Sequence, residues 1–246
     1  MTTKARYRRP LAALQHRLLV LGVLGAMAGG AAHLGQHSWR GAFAGVGLAL
    51  GAHLGIVGVL SLASFAWFRW LTHDLRFRDV ERLLDALALT GDETLLDVGT
   101  GDGLVAIAAA KRLSHGSVIA IDDWQRPHGG RALSSETARS NAAAEGVAAR
   151  VDVRTLPFDR LDLPDASVDV AVACFSLHHL ERVTRNGALL EMSRVLRPGG
   201  RLLAAEPMRR AEIAGTLARA GLEVRRESRT FPRWLFGWVL ARKAIR

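Results

Sequence analysis

The 246-residue chain holds a single cysteine, Cys174. That excludes an internal disulfide and any zinc site built on several thiolates. It agrees with a reducing compartment. Acid is missing from the whole N-terminal part: no Asp or Glu precedes Asp74. Charge of either sign is absent from residues 18–39 and again from residues 41–68. Internal repeats and low-complexity tracts are absent too. The formal net charge is +10, which by itself would suit nucleic acid or an anionic membrane surface. Its distribution argues against nucleic acid. Seven of the 33 bases (Lys4, Arg6, Arg8, Arg9, Arg17, Arg40 and Arg69) lie before Asp74, and the remaining 26 face 23 acids, only +3. Bases that flank apolar sequence act as topology signals.

Each charge-free run is long enough to cross a hydrocarbon core of roughly 30 Å, which takes about 20 helical residues. The expectation is a transmembrane hairpin with helices at about 18–37 and 44–68 and a tight turn around Gly35 to Arg40. Phe65, Trp67, Phe68 and Trp70 suit a membrane interface. Arg69, Arg76 and Arg78 follow the second span, so the positive-inside rule puts both ends in the cytoplasm of a multi-pass inner-membrane protein. Gly47, Gly51 and Gly55 share one helix face and allow close contact with another helix, including self-association; glycine is also simply common in membrane helices. Two other readings stay open. One is a signal peptide cleaved near Ala31 or Ala32. The other is a soluble helical hairpin capping the rest. His53, inside the second span, is either a tolerated neutral side chain or a functional group.

Residues 1–74 are therefore expected to form a membrane segment and residues 75–246 a globular domain. In the latter, apolar runs alternate with amphipathic stretches. Helices are expected at Asp79–Leu89, Leu104–Leu113, Ser135–Glu145, Glu181–Val195 and Arg209–Ala220. Strands are expected at Glu93–Val98, Ser117–Ile121, Arg150–Arg154, Val168–Ala173, Arg201–Ala205, Leu222–Ser228 and Trp234–Arg242. Such alternation implies an α/β fold, a doubly wound seven-stranded sheet, mostly parallel and covered on both faces.

The stretch Leu95-Leu96-Asp97-Val98-Gly99-Thr100-Gly101-Asp102-Gly103 runs an apolar strand into three glycines at alternate positions. Glycine lets the backbone approach a ligand and adopt conformations that a Cβ forbids. The helix that follows offers free N–H groups. A dinucleotide fingerprint spaces its glycines as G-x-G-x-x-G; here the spacing is G-x-G-x-G, with an acid before it, which argues against a nicotinamide dehydrogenase. About twenty residues on, Ile121-Asp122-Asp123-Trp124 places acids at the end of the next strand.

These residues resemble motif I and the second-strand acid of class I S-adenosylmethionine-dependent methyltransferases. Leu177-His178-His179-Leu180 and Leu196-Arg197-Pro198-Gly199-Gly200 match further turns of that family, so the resemblance spans about Val80 to Lys243. It implies S-adenosyl-L-methionine as cofactor and a Rossmann-like sheet. The glycine turn (Asp97, Gly99, Thr100, Gly101, Asp102 and Gly103) would pass beneath the methionine part. Asp122, with Asp123 as the lesser candidate, would accept from the ribose hydroxyls. Trp124 would pack either on the adenine or on the sheet edge. Many members carry an Asp where this chain has Pro157, which offers neither carboxylate nor N–H; the Phe158 N–H is the alternative adenine contact. Cys174 is expected at the pocket wall. His178 and His179 are candidates for positioning a substrate or taking a proton, or for simply ordering their loop. Adjacent histidines point apart, so no metal is expected. The acceptor is expected to be a small lipid- or quinone-like molecule. A catalytically silent scaffold of the same fold is the alternative. The aromatic C-terminal stretch Phe231 to Trp238 fits core packing or bilayer contact.

Overall fold

The computed structural model describes residues 17, 19–20, 23–24, 53, 56–67, 80–125, 133–206, 209–230 and 236–245. A boundary between two compact units falls between Arg78 and Asp79. The first unit contains a helix over residues 56–67 that carries no charge. Its apolar side chains are open: Val59 is 63% exposed and Leu60 61%. His53 is helical and exposed. Among the described residues no helix is long and apolar enough to cross a membrane. Most of both expected spans, with Gly47, Gly51 and Gly55, lies outside the described residues.

The second unit begins with α1 over 80–87. It continues through β1 (Thr94–Val98), α2 (Leu104–Arg112), β2 (Ser117–Asp122), α3 (Ser135–Ala144) and β3 (Val151–Thr155). After a loop come β4 (Val168–Cys174), α4 (Arg182–Val195), β5 (Leu196–Ala205), α5 (Arg210–Arg219), β6 (Leu222–Thr230) and β7 (Phe236–Lys243). The seven strands form one sheet in the order β3-β2-β1-β4-β5-β7-β6. All pairs are parallel except those of β7, which runs antiparallel to both β5 and β6. The chain order reverses direction between β1 and β4, the position where open α/β sheets form a ligand crevice at their carboxyl edge.

Period-2 alternation builds the two faces. Leu95, Val170, Val172 and Leu203 pack beneath α1, α2 and α3 with Leu84, Leu87 and Ile107. Leu96, Val98, Ala171, Ala173 and Leu202 turn the other way, onto Leu189 and Met192 of α4 and Ile213 and Leu217 of α5. Both layers exclude water, and each fully buried Leu contributes roughly 1.5–3 kcal/mol of apolar burial. Trp238 is a core residue, 8% exposed, so this part of the aromatic C-terminal stretch packs inward. Phe231 to Leu235 lie outside the described residues.

One departure from expectation lies at β5. The Arg-Pro-Gly-Gly segment is a bulge within the strand: Val168 pairs with Leu196, and Val170 with Arg201. Pro and Gly in a strand mark such bulges.

Glu93 fastens the opposite, amino edge of the sheet. Its carboxylate accepts from the Thr90 N–H at 2.8 Å and the Gly91 N–H at 2.9 Å, and pairs with Arg201 at 2.8 Å. Arg201 also donates to the Leu87 and Ala88 carbonyls at the end of α1. Burial raises the Glu93 carboxyl, but these donors outweigh it and hold it at about 2. A depressed carboxyl stabilises the fold above its unfolded value of 4.5 and loses that contribution as pH falls toward about 2. Glu93→Gln is therefore expected to cost about 3 kcal/mol at pH 7, the scale for breaking a buried pair. The penalty should shrink at pH 3, as read from urea unfolding at both pH values. An equal penalty at the two pH values would reject this account.

Candidate functional site

β1 ends at Val98 and the chain turns through Gly99, Gly101 and Gly103, all left-handed with φ of 78°, 57° and 86°. The three glycines serve different needs. A Cβ on Gly99 would lie 2.1 Å from the Ser176 Cβ. The turn is thus closed on that side by the loop after β4, and the Ser176 hydroxyl donates to the Val98 carbonyl at 2.8 Å. A Cβ on Gly103 would press on Ile107 at 3.1 Å. At Gly101, among the described residues, a Cβ would meet only the Leu133 Cδ1, at 3.5 Å. Among the described residues, Gly101 is thus the glycine of this turn with the most room beside it.

Three carboxylates gather around this turn. Asp122, at the end of β2, accepts from the Gly101 N–H at 3.0 Å through one oxygen and from the Trp124 N–H at 3.0 Å through the other. Sequence reasoning assigned Asp122 to ligand hydroxyls; in the structure it also ties the turn to β2. Asp97 is 1% exposed and accepts from the Ala106 N–H at 3.1 Å. Burial raises its carboxyl to about 7; the Ala106 N–H opposes the rise, and the Asp122 and Asp102 charges add to it. Asp102 is buried, and its carbonyl accepts from the Asn141 amide at 2.8 Å. Thr100 is buried within the turn, and its N–H donates to the Ile121 carbonyl at 3.0 Å.

Of the remaining candidates, Asp123 caps its own loop by accepting from the Gln125 N–H at 3.2 Å. Trp124 has φ 54°, and its indole N–H donates to the Thr155 hydroxyl at 3.0 Å, bridging the ends of β2 and β3. Pro157 is exposed, whereas the Phe158 side chain is in the core, 6% exposed. Cys174 ends β4 and is half-buried. Phe175 follows it with φ 54°. Backbone strain in two non-glycine residues, just past the carboxyl ends of β2 and β4, is the kind that collects at functional sites.

His178 and His179 stand on a short 3₁₀ turn, Leu177–His179. Their rings lie 3.8 Å apart between centroids, tilted by 41°. His178 Nδ1 is 2.7 Å from the carboxylate of Glu206. Glu206, just beyond β5, is 1% exposed. It also accepts from the N–H groups of Ser176, Leu177 and His178, at 2.9, 2.8 and 3.2 Å. Sequence reasoning missed Glu206. The signal was available: an acid ending a buried strand (Leu202-Leu203-Ala204-Ala205-Glu206), as Asp122 ends β2. Among the described residues no cluster of His, Cys, Asp and Glu has the arrangement of a metal site.

A topological switch point between β1 and β4, a glycine turn after β1 and an acid at the end of β2 are the features that accompany nucleotide-type cofactor sites on doubly wound sheets. Residues 96–204 match the methyltransferase domain family. An uncharacterized methyltransferase of Mycobacterium tuberculosis is 36% identical over 122 residues, which are 50% of this chain and 54% of that protein. A ubiquinone/menaquinone biosynthesis C-methyltransferase of Syntrophotalea carbinolica is 33% identical over 49% of this chain and 46% of its own length. The chain thus spans about half the length of the curated relatives it matches. In fold, an S-adenosylmethionine-dependent methyltransferase from Aquifex aeolicus superposes with a TM-score of 0.56 at 24% identity, over 67% of this chain and 89% of that one. Over residues 96–204 the chain thus carries a methyltransferase domain, on a fold shared with the Aquifex aeolicus enzyme.

Proposed function

We propose that this protein is a membrane-tethered enzyme that transfers a methyl group from S-adenosylmethionine to a small hydrophobic, quinone-like acceptor. The observation that carries the methyl-transfer reading is the glycine turn, with room beside Gly101 among the described residues and anchored by Asp122. Bound there, the cofactor supplies an electrophilic methyl on sulfur. The protein's part is to orient it against the acceptor and exclude water. The Gly101 backbone and the Asp122 carboxylate would hold the cofactor, the Phe158 N–H would meet its base, and no enzyme nucleophile is needed.

The tether rests on the two charge-free runs and on the helix over 56–67. Ile56, Val59, Leu60 and Trp67 are all exposed there, without a charged face opposite. A helix apolar all round belongs in lipid or in a core. Cytoplasmic placement of the methyltransferase unit follows from the flanking arginines. A membrane enzyme reaches acceptors dissolved in the bilayer. The identity to a ubiquinone/menaquinone C-methyltransferase supports that class.

The test uses carbonate-washed membranes from cells producing the full chain, with methyl-tritiated cofactor and a bacterial lipid extract. Label should enter a chloroform-soluble product, and Asp122→Ala should lower that incorporation at least tenfold. Recovery of the chain only in the soluble fraction would reject the tether. Cofactor binding without transfer to any extract would favour the silent scaffold.

A further inference from the structure

We infer that His178, oriented by Glu206, is the general base of this site, and that its acceptor is a hydroxyaromatic molecule, a phenol or hydroquinone whose O–H must be given up as the methyl group arrives. This rests on the methyl-transfer reading and goes beyond it by naming a catalytic residue, a positioning residue and a substrate class.

The geometry of Glu206 assigns the proton on the ring. Its side chain is fully buried, and its two oxygens face three backbone N–H groups and the His178 Nδ1. A carboxylate in that setting only accepts. At 2.7 Å the contact with Nδ1 is attractive only when Nδ1 carries the hydrogen. The neutral ring is then the Nδ1–H tautomer, and Nε2 keeps its lone pair. A base oriented by a buried carboxylate on its far nitrogen is the arrangement that stabilises the imidazolium formed on proton uptake.

Placement supports the same assignment. The loop that carries His178 is the one closed against the glycine turn, through Ser176 and Gly99. It leaves β4 through Phe175, whose ring meets the imidazole edge-on at 6.4 Å between centroids. The His178 side chain is 23% exposed while its Glu206 partner is sealed, so the ring alone is open to an incoming molecule. A loop held merely for folding needs the three backbone N–H contacts. It does not need a partly open imidazole with its far nitrogen held by the same carboxylate.

A base matters only for an acceptor that loses a proton. An amine in its free-base form attacks without one. A hydroxyaromatic acceptor becomes a strong nucleophile, at oxygen or at a ring carbon, as its O–H proton leaves. In the step, the hydroxyl proton passes to Nε2 and an electron pair of the acceptor forms the new bond to the methyl carbon. The carbon–sulfur bond breaks with its electrons retained by sulfur, which becomes a neutral thioether. For attack at carbon, the ring proton is lost afterwards to solvent.

The test uses full-length protein in detergent, saturated with S-adenosylhomocysteine, and 4-nitrophenol as probe, because its phenolate absorbs at longer wavelength than the phenol. The wild type should bind the probe as phenolate at a pH where the free probe is mainly protonated. His178→Asn keeps a donor to Glu206 at the place of Nδ1–H and removes the base. It should hold the probe unionised or bind it at least tenfold more weakly, with S-adenosylhomocysteine affinity unchanged. Glu206→Gln should move the ring toward the other tautomer in nitrogen-15 spectra. Three results would each overturn the assignment: no probe binding by the wild type, the same phenolate spectrum in His178→Asn, or a wild-type His178 protonated at Nε2 and bare at Nδ1. Loss of S-adenosylhomocysteine binding in the wild type would instead reject the methyl-transfer reading, independently of the tautomer.

Discussion

Gly101→Arg is expected to weaken S-adenosylmethionine binding more than about 100-fold, equivalent to about 2.7 kcal/mol, in a protein that still folds. Gly99→Ala is expected to lose about 3 kcal/mol or more of folding stability. That sum combines overpacking with a left-handed backbone lacking glycine. The two residues sit two apart in one motif, and their surroundings differ. At Gly99 even a methyl group would lie 2.1 Å from the Ser176 Cβ, and Ser176 cannot retreat while its hydroxyl donates to Val98. At Gly101 the first added carbon finds room, with only Leu133, at 3.5 Å, near it among the described residues. Its fold cost is the positive φ of 57°, about 1–2 kcal/mol. The rest of an arginine must occupy the space beside Gly101, where the cofactor is proposed to lie. Thermal unfolding and calorimetric titration on both variants separate the effects. If Gly101→Arg binds like wild type, the space beside Gly101 is not the cofactor cradle.

Much of this was legible in local sequence. The expected helices and strands of the globular part match the observed ones to within a residue or two at most ends, because period-2 and period-3.6 patterns there are strong and glycines punctuate them. The glycine turn after β1 was legible for the same reason. What stayed hidden depends on contacts distant in the chain. Nothing near Gly99 announces Ser176, which closes the turn from the loop after β4. Glu206 carries no motif, and its meaning appears only when β5 lies beside β4 and brings it under the Ser176–His178 backbone. The positive φ of Trp124 and Phe175 is likewise imposed by tertiary closure, since neither residue type favours it. The Leu196–Arg201 segment read as a turn because Pro and Gly dominate it, yet pairing on both sides draws it into β5 as a bulge. Pro157 stands where the resemblance implies an Asp, and only the fold shows that Phe158 beside it is a core residue.

Asp97→Asn is expected to stabilise the empty protein at pH 8 while weakening its hold on the cofactor. The carboxyl of Asp97 is raised from 3.8 to about 7, first by burial and further by the Asp122 and Asp102 charges. A raised carboxyl favours folding in its protonated form. Its contribution is complete below 3.8 and is lost as pH climbs toward about 7. Above that, ionisation of a 1% exposed group costs about 4 kcal/mol at one kcal-scale step per unit. Asparagine stays neutral, keeps an oxygen for the Ala106 N–H, and avoids that cost. The stability gap between variant and wild type should therefore open between pH 4 and pH 7 and then level off. A cofactor bearing sulfonium and ammonium charges reverses the balance, because nearby positive charge favours the ionised carboxylate. Binding at pH 6.5 should then release protons, measurable by calorimetry in buffers of different ionisation enthalpy, and the release should fall in Asp97→Asn. A variant less stable than wild type at pH 8 would mean that Asp97 acts in the fold as an ionised acceptor. The carboxylate would then be a structural clamp on the start of α2, with no part in the charge balance of the site.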